Sequence, residues 1–394
     1  MPGRCVPATL SAPAGQGTAA GGVLPGDPAM MAAGPAADVA LGLRDRALTA
    51  LDSGDPAAAL SLARDGLEVL AEAGLGGGPD EAAVLVARAE IEEALDRFGD
   101  AAATAGAAIA LLGGEAGPGD RDHDTLLLWC QAQERRAGLE RLAGGFAAAA
   151  ARLGRVLDVA SVAFGEASQP VVSAANALGV VHKYAGDFAA AQAAYQRAVT
   201  AADAVAAGPL IRAGLLHNLG GLAHSRGDAA AGIPLAEEGL ALRTGALGGA
   251  HPDVAKDLNA LGALYHLAGR YTDAGRAYRR ALVVFEDCYG PDHFEVAMTC
   301  ANLAVLHADQ GQFAAAEALG RRALRILEAV LGPADAEVGL TVLNLATAVA
   351  GQGRRAEAAG LAERATQVLT ARLPAGHPHL DAAREALDHL RGTS

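Results

Sequence analysis

Six glycines, at positions 144, 186, 227, 269, 311 and 353, stand 42, 41, 42, 42 and 42 residues apart. A fixed period of this length confines a chain to repeat architectures, in which one supersecondary unit stacks on copies of itself. The residues around the glycines recur with them. Leu261-Gly262 through Gly269-Arg270-Tyr271 returns as Leu178-Gly179 through Gly186-Asp187-Phe188, as Leu219-Gly220 through Gly227-Asp228, as Leu303-Ala304 through Gly311-Gln312-Phe313, and as Leu345-Ala346 through Gly353. Upstream, Gly54-Asp55 and Gly99-Asp100 extend the series at 45-residue steps, which predicts eight units.

Each unit reads as a helical hairpin. Apolar and small residues run at helical spacing through Val254, Leu258, Leu261, Gly262 and Tyr265, and again, after the turn, through Tyr271, Ala274, Tyr278, Ala281 and Leu282. Junctions between units recur as well: Leu247-Gly248, Tyr289-Gly290, Leu331-Gly332 and Leu373-Pro374 end long second helices at 42-residue intervals. The segments that follow, His251-Pro252-Asp253, Pro291-Asp292, Pro333 through Asp335 and His377-Pro378, suit the first turn of the next helix. Pro234 falls inside a second helix and predicts either a kink or a delayed start there. Composition agrees with helices in close approach: 99 of 394 residues are Ala, 50 are Gly, and only 4% are aromatic, which argues against all-β and aromatic-rich folds.

The pattern divides the chain into a Pro/Gly/Ala-rich disordered arm over 1–37 and hairpins over about 38–74, 80–112, 123–165, 170–206, 209–248, 252–290, 294–332 and 336–374. A capping helix and tail follow over 377–394, since a stack of hairpins needs its last apolar face covered. The arm has one early Arg and no apolar stretch long enough for a signal peptide or membrane span, and Met30 and Met31 leave open a later start of translation. The cysteines, Cys5, Cys130, Cys288 and Cys300, form no CxxC pair, which fits a reducing cytoplasm.

Gly262, Tyr265, Ala274, Tyr278 and Ala281 occupy five signature places of the tetratricopeptide repeat, which the chain resembles over residues 38 to 391, most specifically from 130 onward. The 42-residue period and the His-Pro-Asp junction resemble the longer kinesin-light-chain subtype, common in bacterial proteins. The second unit departs from the pattern, with Glu92 where Gly or Ala is expected and a Gly-rich connection over 113–119. The resemblance implies an all-α, right-handed superhelical solenoid of about eight antiparallel hairpins plus a C-terminal capping helix. It further implies a concave groove, lined by the first helix of each hairpin, that takes an extended peptide or a partner helix.

Carried onto this sequence, the groove-facing places hold Gln131, Glu134, Arg135 and Arg141, then Asn176 and Lys183, then His217, Asn218 and His224, then Lys256, Asn259 and His266, and finally Asn302 and Asn344. The asparagines are the sharpest signal. Asn is a mediocre helix former, and its amide both donates and accepts, so a row of them can hold a peptide main chain whatever its sequence. The alternative is that they bond locally or bridge hairpins. Lys183 and Lys256 are the only lysines in a chain with net charge −14, and with Arg141 they predict selection of an acidic peptide or a C-terminal carboxylate. Glu90, Glu93 and Asp96 of the second unit predict repulsion of the same ligand at the N-terminal end.

The remaining motifs point away from chemistry. His182 and His307 stand where the sixth unit has Tyr265, so they read as packing residues, and Trp129 reads as core. No HxH, HExxH or CxxC supports a metal, no P-loop or GxSxG is present, and the glycines recur at hairpin turns rather than after strands. The acidic balance and the lack of an aromatic ladder argue against nucleic acid and anionic membranes. The leading reading is therefore a non-catalytic adaptor without cofactors that binds a peptide segment of a partner protein. A peptide-sensing regulator acting on a separate effector is the second. An enzyme built on His217, His224, His266 and nearby carboxylates is the third.

Overall fold

The computed structural model describes residues 28–117, 119, 122–373 and 377–392. Among them are seventeen α-helices, a single 3-10 turn (Gly114–Ala116) and no strand. The chain divides at Leu215/Leu216 into two compact units.

The N-terminal unit stacks hairpins α1 (Pro28–Asp52)/α2 (Pro56–Glu72), α3 (Pro79–Ala94)/α4 (Phe98–Leu111), α5 (His123–Leu142)/α6 (Phe146–Phe164) and α7 (Gln169–Tyr184)/α8 (Phe188–Ala204). Helix α9 (Pro209–Ser225) holds the dividing point, and the C-terminal unit continues with α10 (Ala229–Leu247), α11 (Pro252–Leu267)/α12 (Tyr271–Tyr289), α13 (Phe294–Asp309)/α14 (Phe313–Leu331), α15 (Ala336–Gly351)/α16 (Arg355–Arg372) and α17 (Pro378–Arg391). In the N-terminal unit each helix from α1 to α8 packs on the next, and in the C-terminal unit each from α10 to α17 does the same. The N-terminal core gathers Trp129, Val156, Val171 and Ala198, and the C-terminal core gathers Leu258, Phe285, Val296, Leu327 and Val342. Burying each large apolar side chain contributes roughly 1.5–3 kcal/mol, summed along the stack.

Two devices make a hairpin. At the turn, Gly186 and Gly269 adopt φ of +80° and +71°, a left-handed conformation that glycine enters without a Cβ penalty. Where the residue after the glycine is Asp, it caps the second helix: Asp187 accepts the amide hydrogen of Ala190 at 3.0 Å and Asp228 that of Ala231 at 3.0 Å. At the crossing, glycine lets an aromatic ring reach the backbone. A Cβ on Gly179 would lie 2.5 Å from Tyr195, and one on Gly262 would lie 2.6 Å from Tyr278. At the junctions, imidazoles act as caps: the Nδ1 atoms of His251, His293 and His377 accept the amide hydrogens of Asp253, Glu295 and His379, and Asp335 does the same for Glu337. That role requires the neutral tautomer with its hydrogen on Nε2.

Several expectations change. Helix α1 begins at Pro28, so the arm read over 1–37 overlaps a helix by ten residues; Pro suits a first turn and the Met and Ala residues after it favour helix. Residues 1–27 lie outside the described residues, as do Pro374 and the tail beyond 392. In the second hairpin the turn is not at Gly99, which belongs to α4, but at Asp96, with φ of +58°. Asp is one of the few residues besides Gly that tolerate this conformation. With the turn at 96 the first step becomes 42 residues, and the six extra residues fall between Asp96 and Gly144, where the 113–119 connection lies. The register also moves: Ala89, fully buried, holds the small-residue place, and Glu92 stands where α11 has Tyr265. Glu92 is fully buried but satisfied, accepting from Arg88 at 2.8 Å and from the Thr104 hydroxyl at 2.7 Å. Helix α10 begins at Ala229 with Pro234 in its interior, so the proline does not delay its start.

Gly114 and Glu115 of the 113–119 connection are themselves held in place. The Trp129 indole, buried, donates to the Gly114 carbonyl at 2.8 Å, and Glu115 pairs with Arg152 at 2.7 Å. The two bonds tie the extra residues to α5 and α6.

Candidate functional site

First helices contact first helices. In the N-terminal unit α1 packs on α3, α3 on α5 and α5 on α7; in the C-terminal unit α11 packs on α13 and α13 on α15. Residues about one period apart therefore meet, and these helices together with α9 carry all fourteen residues selected from the sequence.

In the N-terminal unit, Arg135 of α5 donates to Glu90 at 2.7 Å and to Glu93 at 2.9 Å, both on α3, and only 10% of its side chain is exposed. The predicted repulsion is weakened, because Arg135 is shared between two of the three carboxylates and offsets one of their charges. Beside it, the Glu134 carboxyl accepts the Ser173 hydroxyl of α7 at 2.5 Å, and burial pushes that carboxyl up to about 7.

Arg141 and Lys183 behave differently. They occupy equivalent places in the last turns of α5 and α7, 42 residues apart, and converge on the Tyr184 ring, with the Arg141 Cζ 4.9 Å and the Lys183 Nζ 5.1 Å from its centroid. Neither meets a carboxylate among the described residues. Burial, together with the Arg141 charge, holds the Lys183 ammonium below its ordinary value. Behind them, the Tyr195 hydroxyl is buried with no hydrogen-bond partner among the described residues, near enough to feel the charge of Arg141. Asn176 lies on α7, half-buried, seven residues before Lys183 and so on the same helix face.

In the C-terminal unit the Asn302 amide of α13 donates to the Asn259 carbonyl of α11 at 3.2 Å. Asn218, half-buried, and His224, exposed, lie on α9. Asn344 is exposed on α15 and forms no hydrogen bond to a described residue. Lys256 is taken up by Asp253, one turn away on α11, at 2.9 Å, so its charge is compensated, unlike that of Lys183. His217 meets Asp257 at 2.8 Å, and the same carboxylate, 4% exposed, accepts from Arg243 of α10 at 2.7 Å. His266 meets Asp309 of α13 at 2.7 Å.

The histidines are thus held by separate carboxylates. No Ser, Thr or Cys among the described residues hydrogen-bonds to His217 or His266, so neither is set up to activate a nucleophile. Among the described residues no three His, Cys, Asp or Glu are placed to hold a metal ion, and no helix is long and apolar enough to cross a membrane. What the first helices offer chemically is a set of amides and, separately, two cations at one exposed tyrosine ring. Sequence reading did not single out Tyr184, Tyr195, Asp257 and Asp309 as site residues, and it took Glu90 and Glu93 for repulsive groups where they are partners of Arg135. The partners carry a legible signal, since charges of opposite sign stand 40 to 45 residues apart.

A family model described as tetratricopeptide repeat matches residues 212–287, 258–329 and 296–371, and a second of the same description matches residues 172–204. No curated protein matches the chain. Among solved structures, the apo form of RapI is similar at 12% identity over 78% of this chain and 81% of its own, with a TM-score of 0.55. A Rap protein complexed with Competence and Sporulation Factor is 10% identical over 91% of this chain and 98% of its own, with a TM-score of 0.55. A Signal Transduction ATPase with Numerous Domains from Pyrococcus horikoshii, carrying a tetratricopeptide repeat sensor, is 11% identical over 85% of this chain, which spans 49% of that protein, with a TM-score of 0.57. At these identities the likeness is one of fold.

Proposed function

We propose that this chain, which belongs to the tetratricopeptide-repeat family, is a non-catalytic interaction protein whose first helices hold an extended peptide segment of a partner. The observation that carries the reading is the Asn259–Asn302 pair. Their mutual bond at 3.2 Å uses one Asn302 donor and the Asn259 carbonyl, and among the described residues the Asn259 amide hydrogens, the second Asn302 amide hydrogen and the Asn302 carbonyl have no partner. Those groups, spaced along neighbouring helices, match the alternating donors and acceptors of a peptide main chain. Affinity comes from preorganisation: the wall is fixed by packing, and the incoming segment bears the ordering cost.

Binding of a fluorescent library of random decapeptides tests this. The wild-type chain retains a subset, and Asn259→Ala with Asn302→Ala weakens retention by about tenfold, the equivalent of ~1.4 kcal/mol. Retention that is unaltered in the double variant refutes the groove reading.

A second reading is that the bound segment is a signal. It is favoured by two proteins of similar fold, a Rap protein solved with Competence and Sporulation Factor and an ATPase that carries a tetratricopeptide repeat sensor. Small-angle scattering with and without retained peptide separates the two, because a passive adaptor keeps its radius and a sensor changes it.

A further inference from the structure

We infer that His217, Asp257 and Arg243 form a protonation switch, in which one buried carboxylate is compensated by either of two cations and charging of His217 releases the second helix α10. The device needs no bound peptide and goes beyond the reading above.

Twelve residues before the turn glycine, the hairpins from the third onward hold Ala132, Ala174, Leu215, Asp257, Thr299 and Thr341, all of them buried. The two threonines satisfy their hydroxyls locally, on the carbonyls of Glu295 and Glu337 at 2.8 Å, whereas Asp257 brings a charge into that place. Sixteen residues after the same glycine stand Ala160, Ala202, Arg243, Phe285, Leu327 and Leu369, and each except Arg243 is a buried apolar residue. The stack is thus built without charge at either place in every other hairpin. A buried ion pair is often no more stabilising than apolar residues of similar volume, so stability does not account for this one.

The carboxylate is shared among three helices. Its Oδ2 accepts from the Arg243 Nε of α10 at 2.7 Å, and its Oδ1 lies 2.8 Å from the His217 Nδ1 of α9. Asp257 and Arg243 are 4% and 13% exposed, but His217 is 37% exposed, so a proton reaches it from solvent. With His217 neutral, its Nδ1–H donates to Asp257 and Arg243 alone compensates the charge. With His217 charged, two cations face one anion in a poorly screened place, and the carboxylate is compensated without Arg243. Arg243 is also the partner on the weaker support, because α10 holds Pro234, Gly232, Gly239 and Gly245, all unfavourable in helix. Protonation of His217 and departure of Arg243 therefore favour each other. Other titratable groups on these helices have their own partners: Glu237 accepts the Tyr265 hydroxyl at 2.6 Å, Lys256 holds Asp253 at 2.9 Å, and His251 caps α11, while His224 lies two turns along α9.

Hydrogen exchange read by mass spectrometry tests the switch in the full chain, with rates corrected for the intrinsic effect of pH and α14 as internal reference. Between pH 8 and pH 5, where histidine ordinarily gains its charge, opening of residues 235–247 relative to α14 is expected to rise by about tenfold. In His217→Gln, which keeps a donor for Asp257 and has no charge to gain, the rise should be absent. It should be absent as well in Arg243→Leu with Asp257→Thr, which installs the residues of the seventh hairpin, Leu327 and Thr299, at the two places. His251, Glu237 and His224 remain in both variants, so a response that belongs to them survives there. The switch is overturned if α10 of the wild type opens no more often at pH 5 than at pH 8, or if either variant retains the rise.

Discussion

Asn302 on α13 donates its side-chain amide to Asn259 on α11 across 3.2 Å and 43 residues of sequence. One bond therefore both links two hairpins and sets the direction of two amides whose remaining hydrogens and carbonyl are left for something else. The two readings of these asparagines, as bridges between hairpins and as ligand groups, meet in a single pair. A neutral hydrogen bond of this kind contributes about 1 kcal/mol. Asn302→Ala and Asn259→Ala are each expected to lower the stability of the C-terminal unit by about that amount, and a double-mutant cycle in urea should return a coupling of ~0.5–1.5 kcal/mol.

At the crossing of α11 and α12, Gly262→Ala places a methyl group 2.6 Å from the Tyr278 ring, which is only 1% exposed and has nowhere to withdraw. Overpacking of this sort costs about 1–3 kcal/mol. Combining it with Tyr278→Leu should give less than the sum of the two single losses, read from denaturation midpoints, because the smaller side chain makes room for the new Cβ.

Asp96 supplies a backbone test. With φ at +58°, Asp96→Gly is expected to change stability by no more than about 0.5 kcal/mol, whereas Asp96→Val, branched at Cβ, should cost more than about 1 kcal/mol. Equal effects of the two substitutions on the thermal midpoint would contradict the placement of the turn at 96.

Glu134 predicts an unusual pH dependence. Its carboxyl is raised to about 7 in the folded chain, from an ordinary 4.5, chiefly by burial. Between those values the folded state holds more protons than the unfolded one, so this group's contribution to stability is fully present below about 4.5 and is lost as pH rises through 7. Glu134→Gln keeps a hydrogen-bonding partner for Ser173 without the charge. Its thermal midpoint at pH 8 should exceed the wild type by a few degrees, on the scale of 2–4 °C per kcal/mol for a domain of this size, and the two should converge near pH 4.

Much of the fold was legible because hairpin turns and crossings depend on single residue types. Gly186 and Gly269 were visible as turns, and the small residues Gly179 and Gly262 as crossings, since no other residue does either job as well. The second hairpin was misregistered for the complementary reason: Asp96 performs the turn with a side chain that carries no punctuation, and Gly99, three residues on, stands inside α4. The site was less legible because charge is settled between hairpins. Lys256 is marked locally by Asp253, three residues before it on the same helix, whereas the neighbour that Lys183 meets from another hairpin, Arg141, stands 42 residues away. Only the second of these depends on which side chains the stacking of α5 on α7 brings together.

The spacing of partners has a consequence for how such a chain can change length. Removing residues 294–335, one whole period, would carry Asn344 into the place of Asn302 beside Asn259, and the amide row would close over the gap with its spacing intact. Arg141 and Lys183 have no such spare, since the equivalent places in the last two hairpins hold Ala308 and Ala350. Gain or loss of hairpins by unequal recombination would thus lengthen or shorten the main-chain grip of the C-terminal unit by a fixed step while leaving Arg141 and Lys183 unchanged.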